Sequence, residues 1–269
     1  MPTDGRAGAP PGVSRGACVD ERSRTGEPEL GELVRVTAAQ GPAEPCGIIF
    51  YVMGRTDAEA PCATLVEEAR RGRGEDRTAV VRLRGRTLIV VADGAGGVGR
   101  GAEAAEFVCT ALRSLSPTDH HELDWADWLA DLDRRMAASS SGLAAAVVVE
   151  LRSDGAVRGA SVGDCEAWLF DHGAQGAGRG ERGARELTSS QVRKPLLGEG
   201  TATPVSFEAN AAGGTLLVAS DGLWKYAKRD RIAAAAAKRP LEAATTALVD
   251  LVRLRSGALQ DDVAVGIAG

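Results

Sequence analysis

Apolar residues in this chain fall mostly into short continuous runs, and those runs set the first expectations about fold. Residues 78–83 and 87–92 are rich in β-branched side chains and flank Arg84-Gly85-Arg86, a pattern that predicts a hairpin. Residues 144–151 and 156–162 repeat it around Ser153-Asp154-Gly155, a strong tight-turn sequence. Residues 166–171, 215–219 and 263–267 add three more strands, and 47–53 reads as an earlier one. Helical spacing appears at Ala104, Ala105, Phe107, Val108, Ala111, Leu112 and Leu115, and again at Trp125, Trp128, Leu129, Leu132 and Met136. Two further helices are expected at 228–238 and 241–255, with Pro240 between them, and the stretch 63–69 also reads as helical. Hairpins outnumber β-α-β crossovers, which points to an α+β fold with antiparallel sheets and helices packed outside.

Residues 1–30 are rich in Gly, Pro, Arg, Ser and Glu and bury too little to fold, so they read as a disordered tail. The Gly-rich, charged stretch 173–184 reads as a mobile loop. Aromatics are only 4% of the 269 residues, so the core must be built from Val, Leu, Ile and Ala. The formal net charge of -5 argues against a partner read through a phosphate backbone, because such a protein should carry a basic stripe. The five cysteines (Cys18, Cys46, Cys62, Cys109 and Cys165) are scattered, odd in number and without a C-x-x-C pair. That pattern excludes a disulfide framework and a zinc site and leaves buried or idle thiols. No apolar run approaches the ~18 residues of a membrane span, and the N-terminus lacks an apolar signal core. The expectation is a cytoplasmic protein with no nucleic-acid and no membrane partner.

The candidate chemistry lies in acidic residues at strand ends. One apolar run leads into Asp93-Gly94 and another into Asp221-Gly222. Asp261-Asp262 sits just before the last strand, and Glu75-Asp76 just before the first hairpin. If the sheets pack face to face, these rims converge, and converging carboxylates repel unless cations sit between them. Hard oxygen ligands select Mg²⁺ or Mn²⁺ over zinc or copper. Two such ions about 4 Å apart polarise a phosphoryl group and deprotonate a water. On spacing alone, Asp-Gly is also ordinary turn sequence after a strand, so both readings stay open at this point.

Five motifs then occur in a recognisable order: R-R-G-R-G-E-D-R at 70–77, V-A-D-G-A-G-G at 91–97, S-V-G-D-C-E-A-W at 161–168, V-A-S-D-G-L-W at 218–224 and Q-D-D-V-A-V at 260–265. Together they resemble the metal-dependent (PPM, type 2C-like) Ser/Thr protein phosphatases of bacterial type, over about three quarters of the chain from Arg71 onward. The resemblance implies a four-layer αββα sandwich, two antiparallel sheets flanked by helices, with the phosphatase domain at 31–269. It implies two Mn²⁺ or Mg²⁺ ions bridged by Asp93, with the Gly94 carbonyl on one and Asp221 and Asp261 on the other. Glu75 and Asp76 are expected to hold metal-bound waters. Asp262 stands where the family often has Asn and is expected to support the site, as is Asp164, which braces a turn nearby. Arg71 falls where family members place a phosphate-binding Arg, with Arg73 a close rival.

The implied activity is hydrolysis of phosphoserine and phosphothreonine in proteins by a metal-activated water, without a phosphoenzyme. The implied partner is a phosphorylated protein substrate of a Ser/Thr kinase, and the protein is expected to be a monomer. Two departures matter. Ala95 stands where some members have a His proposed to protonate the leaving group, so a metal-bound water would have to serve. Ser139 stands where many members have an Asp, which leaves an accessory third metal site open. These departures motivate a second reading, a catalytically weak module that binds phosphorylated partners. A third is hydrolysis of small-molecule phosphoesters. The glycine-rich 93–99 segment lacks the Gly-Lys-Ser/Thr ending of a nucleotide loop. His120, His121 and His172 read as surface residues.

Overall fold

The computed structural model describes residues 33–37, 47–52, 60–96, 100–115, 123–171, 183–211 and 213–269, the first two segments as backbone only. The chain divides into two units, Met1–Leu30 and Gly31–Gly269, and every element named here belongs to the second. The tail expected at 1–30, Cys18 and Cys46, the three histidines, and nearly all of the loop expected at 173–184 lie outside the described residues.

Two antiparallel sheets form the centre. The first takes the strands β1 (Leu33–Thr37), β2 (Gly47–Val52), β3 (Cys62–Glu67), β8 (Glu166–Phe170), β9 (Ala184–Glu186), β11 (Thr215–Ala219) and β12 (Val263–Ala268), in the order β1-β2-β3-β12-β11-β8-β9. The second takes β4 (Asp76–Leu83), β5 (Arg86–Ala95), β6 (Leu143–Arg152), β7 (Ala156–Val162) and β10 (Val205–Asn210), in the order β10-β7-β6-β5-β4. Helices α1 (Arg100–Arg113) and α2 (Trp125–Ser139) cover the second sheet, and α4 (Arg229–Ala236) and α5 (Leu241–Asp250) cover the first. A single-turn helix, α3 (Asp221–Trp224), follows β11. The expected αββα sandwich is therefore present.

Side-chain parity explains why the strands read as unbroken apolar runs. Successive residues of a strand point to opposite faces, and here both faces are covered. In β5, Leu88, Val90 and Ala92 pack with Val108, Leu112, Leu129, Leu132 and Met136 of the helices. Ile89 and Val91 point the other way, into the layer between the sheets, where they meet Leu169, Leu216, Val218 and Ala264. In β11 and β12, Leu217, Val265 and Ile267 face Ile232, Leu248 and Val249 of the opposite helix pair.

The structure corrects two expectations. The stretch 63–69 is not helical. It contains β3, paired with β2 and β12, with Ala63 and Leu65 facing the outer helices while Cys62 and Val66 join the layer between the sheets. A strand buried on both faces loses the period-2 signal, and its Ala and Leu content then mimics a helix. The last helix also stops at Asp250, short of residue 255. Beyond it the chain tightens into i−3 turns (Leu251 N to Leu248 O 3.2 Å, Val252 N to Val249 O 3.1 Å), and the Arg253 guanidinium is drawn onto Glu67 of β3 by two bonds of 2.6 and 2.7 Å. β1, β9 and the edge strand β10 were not expected from the sequence. β10 alternates half-buried and exposed positions along its whole length.

α2 is fixed by a cap at its start and by a buried carboxylate midway along it. Asp124 caps its start, accepting from Ala126 N at 2.8 Å and Asp127 N at 3.1 Å. Farther along, Asp133 is 2% exposed and accepts three backbone amides, Gly198 N at 2.8 Å, Gly200 N at 2.9 Å and Ala202 N at 2.9 Å. This one carboxylate ties the segment 198–202 to the helix layer. Replacing Asp133 by Ala strands three amides, so urea unfolding should show a loss on the order of 3 kcal/mol, with an unchanged slope. A loss under about 0.5 kcal/mol would mean that water replaces the carboxylate without cost.

Candidate metal centre

The layer between the sheets ends in acids. Parity in β5 places Asp93 on the same face as Ile89 and Val91, at the strand's end. In the β4–β5 register, Asp76 is the direct cross-strand partner of Asp93. Two carboxylates facing each other on adjacent strands are destabilising unless one is protonated or both are neutralised. Asp76 is 2% exposed. Burial, with the Asp93 charge next, holds its carboxyl well above the usual range. One Asp76 oxygen is buried with no hydrogen-bond partner. The group shares side-chain hydrogen bonds with Asp93 and with the Ser220 hydroxyl. Ser220, itself fully buried, also accepts from Ala264 N at 2.9 Å, so one hydroxyl joins both sheets beneath the acids.

The first sheet delivers the other carboxylates. β11 ends at Ala219, and the chain turns through Ser220 into α3, whose first residue is Asp221. The turn after β7 delivers Asp164. Gly163, at φ 91°, makes that turn, and a Cβ there would collide with Ala145 of β6. Ligand oxygens of Asp93, Asp164 and Asp221 all lie within 4.8 Å of one another. Burial, followed by the Asp221 charge, pushes Asp93 up to about 7. Asp221 is also raised, by burial first.

The remaining sequence candidates take distinct places. Asp261 precedes β12 and is linked to the cluster through Lys225, whose Nζ pairs with Asp221 Oδ2 and lies 3.8 Å from Asp261 Oδ2. The Asp262 carboxylate is fully used by backbone: Oδ1 accepts from Ala69 N at 2.7 Å and Oδ2 from Glu75 N at 2.7 Å. It thus fixes both ends of the 69–75 segment. Within that segment, residues 70–73 form a turn closed by Arg73 N to Arg70 O at 3.0 Å, with Gly72 N on Glu68 Oε2 at 2.6 Å. Arg71 and Arg73 are both exposed on this turn. Neither makes a salt bridge to the carboxylates among the described residues. Gly94 packs against the first turn of α1 so closely that a Cβ would run into the Gly101 carbonyl, and a Cβ on Gly101 would in turn meet both Gly94 and the Glu75 carboxylate.

Lys225 and Ser220 were not singled out from the sequence. The spacing of Lys225, four residues after Asp221, was the available signal for the first. Nothing local marks Ser220. The donor set fits a hard divalent cation: it is all oxygen, it carries excess negative charge, and one buried Asp76 oxygen lacks a partner.

The family model described as Stage II sporulation protein E (SpoIIE) matches residues 83–269. No curated protein matches the chain. Among solved structures, the chain is similar to a bacterial serine phosphatase, at 19% identity and TM-score 0.62 over 78% of this chain and 97% of that one. It is similar to the Mycobacterium tuberculosis serine/threonine phosphatase PstP/Ppp, at 21% identity and TM-score 0.60 over 78% and 97%. It is also similar to RsbX in complex with magnesium, at 15% identity and TM-score 0.59 over 79% and 96%. At these identities the likeness establishes the fold.

The raised Asp93 carboxyl gives a pH dependence with a defined sign. Its folded value of about 7 exceeds the ~3.9 of an unfolded Asp, so between these limits the folded chain holds a proton that the unfolded chain releases. In EDTA, the thermal midpoint should therefore fall as pH rises from about 4 to about 7. Asp93→Asn should flatten the profile and raise the midpoint above that of the wild type near pH 8. Added Mn²⁺ should stabilise the wild type more at the high end, because ligands must lose their protons to bind. A wild-type midpoint in EDTA that climbs through this window would contradict the cluster's electrostatics.

Proposed function

We propose, from the premise that this chain belongs to the SpoIIE family of PPM-type phosphatases, that it hydrolyses phosphoserine and phosphothreonine in proteins with the help of divalent cations. The observation that carries the reading is the convergence of Asp93, Asp164 and Asp221 within 4.8 Å at one end of the sandwich. The similar structures named for serine and serine/threonine phosphatases, and the magnesium in the RsbX complex, support it.

Asp93, the Gly94 carbonyl, Asp164, Asp221 and Asp261 are the groups that would hold two Mn²⁺ or Mg²⁺ ions. Ions bound there supply Lewis-acid activation of water and neutralise charge on the phosphoryl oxygens. The chain's own residues do the rest. Asp93 gives up its proton when it becomes a ligand, and Asp76, held by Ser220, fixes the direction in which its carboxylate points. Glu75 is set at the rim of the cluster by the bond from its amide to Asp262 and by the bond its carbonyl accepts from Gly94 N at 3.3 Å.

Arg71 binds the phosphate. It stands on the exposed turn that Asp262 anchors at both ends, so its guanidinium is presented to solvent from a fixed base. Planar bidentate donors match phosphate geometry. Ala95 contributes no proton donor, so the leaving alkoxide takes its proton from solvent at the site. The site lies at a sandwich rim, where a phosphorylated side chain projecting from a protein surface can enter. The protein acts as a monomer in the cytoplasm, on substrates of a Ser/Thr kinase. Among the described residues, no helix is long and apolar enough to cross a membrane.

Purified protein should hydrolyse a phosphoserine peptide and an aryl phosphate in Mn²⁺ and not in EDTA. Asp93→Ala and Asp221→Ala should each lose about 10³-fold in kcat, the equivalent of ~4 kcal/mol at the transition state. Binding of Mn²⁺ without turnover would favour the phospho-binding reading, and a preference for small phosphoesters would sink the protein-substrate version.

Arg71→Ala separates binding from chemistry. Its expected effect is a KM raised about tenfold with kcat lowered less, measured on the phosphopeptide. The same split in Arg73→Ala with Arg71→Ala silent would reassign the role to the neighbouring arginine.

A further inference from the structure

Among the described residues, one basic side chain reaches the acids at salt-bridge distance, and it comes from the same turn as one of them. Lys225 ends the single turn of α3 that Asp221 begins, and its backbone N–H donates to the Asp221 carbonyl at 2.8 Å. The i,i+4 spacing puts both side chains on one face. The ammonium pairs with Asp221 Oδ2 and lies 3.8 Å from Asp261 Oδ2. These are two of the carboxylates that hold a cation in the proposed phosphatase, and the role assigned to Lys225 rests on that function. The exposure is uneven: the Lys225 side chain is 51% exposed, that of Asp221 only 12%. The lysine therefore covers a largely buried carboxylate from the solvent side, and its flexible stem can swing out without opening the core.

We propose that Lys225 is a built-in competitor for the cation on the Asp221–Asp261 side of the site. In the metal-free protein its ammonium supplies one positive charge between the two carboxylates and keeps them from repelling. A divalent ion reaches those oxygens only by displacing it. Loading of that side is thus an exchange, divalent cation in and ammonium out, and its affinity is lower than the carboxylates alone would give. Among the described residues no ammonium or guanidinium lies at salt-bridge distance from Asp93 or Asp164, and Lys225 reaches only Asp221 and Asp261 at that distance, so the two ions bind with unequal affinity. Removing the charge at Lys225 narrows that gap.

The test is calorimetric titration of Mn²⁺ into metal-stripped wild type, Lys225→Met and Lys225→Arg, which keeps activity out of the readout. Met preserves the stem and removes the charge. A half-exposed side chain at the end of a short helix can take that change, and far-UV circular dichroism with a cooperative thermal transition verifies that the variant is folded. The expected result is one binding step tightened roughly two- to fivefold in Lys225→Met, from loss of a partly exposed ion pair. The other step stays unchanged, and Lys225→Arg behaves as wild type. The thermal midpoint of Lys225→Met in EDTA should fall, and its gain on adding Mn²⁺ should exceed the wild-type gain. Folded Lys225→Met with wild-type or weaker affinity at both steps overturns the proposal and leaves the metal site standing. Absence of Mn²⁺ binding in wild type and Lys225→Met alike overturns both. Binding seen only in Lys225→Met supports displacement in its strongest form.

Discussion

Mutual repulsion of carboxylates gathered at one end of the sandwich is the constraint around which the rest of this structure is arranged. Asp76 and Asp93 face each other across β4 and β5, and Asp164 and Asp221 come to the same point from the turn after β7 and the start of α3. In water, four such groups would each be charged at neutral pH. Here burial first, and neighbouring charge with it, raises the carboxyls of Asp76, Asp93 and Asp221, with Asp93 pushed up to about 7. A sheet edge built this way is less stable than one built from Val and Thr. The surrounding contacts show how the fold tolerates it. Ser220 gives its proton to Asp76 and receives one from Ala264 N, Lys225 covers Asp221, and the Asp262 charge is spent on two amides.

The same residues connect stability to function. Asp262 and Arg253 clamp three points of one segment: Asp262 holds Ala69 and Glu75, and Arg253 holds Glu67 at the end of β3. Between those points runs the turn that carries Arg71. The turn's position is therefore fixed by the last strand and by the chain after α5, far away in sequence, while its tip stays exposed. If Arg71 binds phosphate as proposed, an arginine on such a base would lose little orientational freedom on binding, which is where preorganised sites gain over flexible ones. Aligning the carboxylates in this fold is thus the work of both sheets and of the connections at their ends.

Much of this was legible in the sequence, and each exception has a physical cause. The hairpins β4–β5 and β6–β7 announced themselves through turn residues, and Asp93, Asp221 and Asp261 through their places at strand ends. What failed was local pattern where burial is two-sided. β3 is covered on both faces, so its alternation vanished and its Ala and Leu suggested a helix. β10 failed for the opposite reason: half-exposed Val205-Ser206-Phe207-Glu208 alternates clearly but is too short and polar to stand out. Asp262 shows the limit more sharply. Its neighbour Asp261 has the same residue type and the same position before β12; the family resemblance alone assigned Asp262 a supporting place, and the amides of Ala69 and Glu75 give its carboxylate a definite structural use. Asp164 has the same history, since a turn-bracing Asp and a ligand Asp look alike until Asp93 and Asp221 are placed beside them.

The balance of charges at the site also bears on how it changes state. A proton on Asp93, the ammonium of Lys225 and a divalent cation all answer the same excess of negative charge, and they are mutually exclusive at the oxygens they occupy. On the proposed exchange, loading with metal would displace other positive charge, and the free energy of binding would be the difference between two neutralised states. That difference is smaller than the attraction of bare carboxylates for a cation, which keeps a strongly acidic site exchangeable. The core beneath, from Ile89 and Val91 to Leu216 and Val218, is fully buried and apolar. The acids can then be arranged for chemistry at the rim while apolar burial, which is indifferent to the charge state above it, carries the stability of the fold.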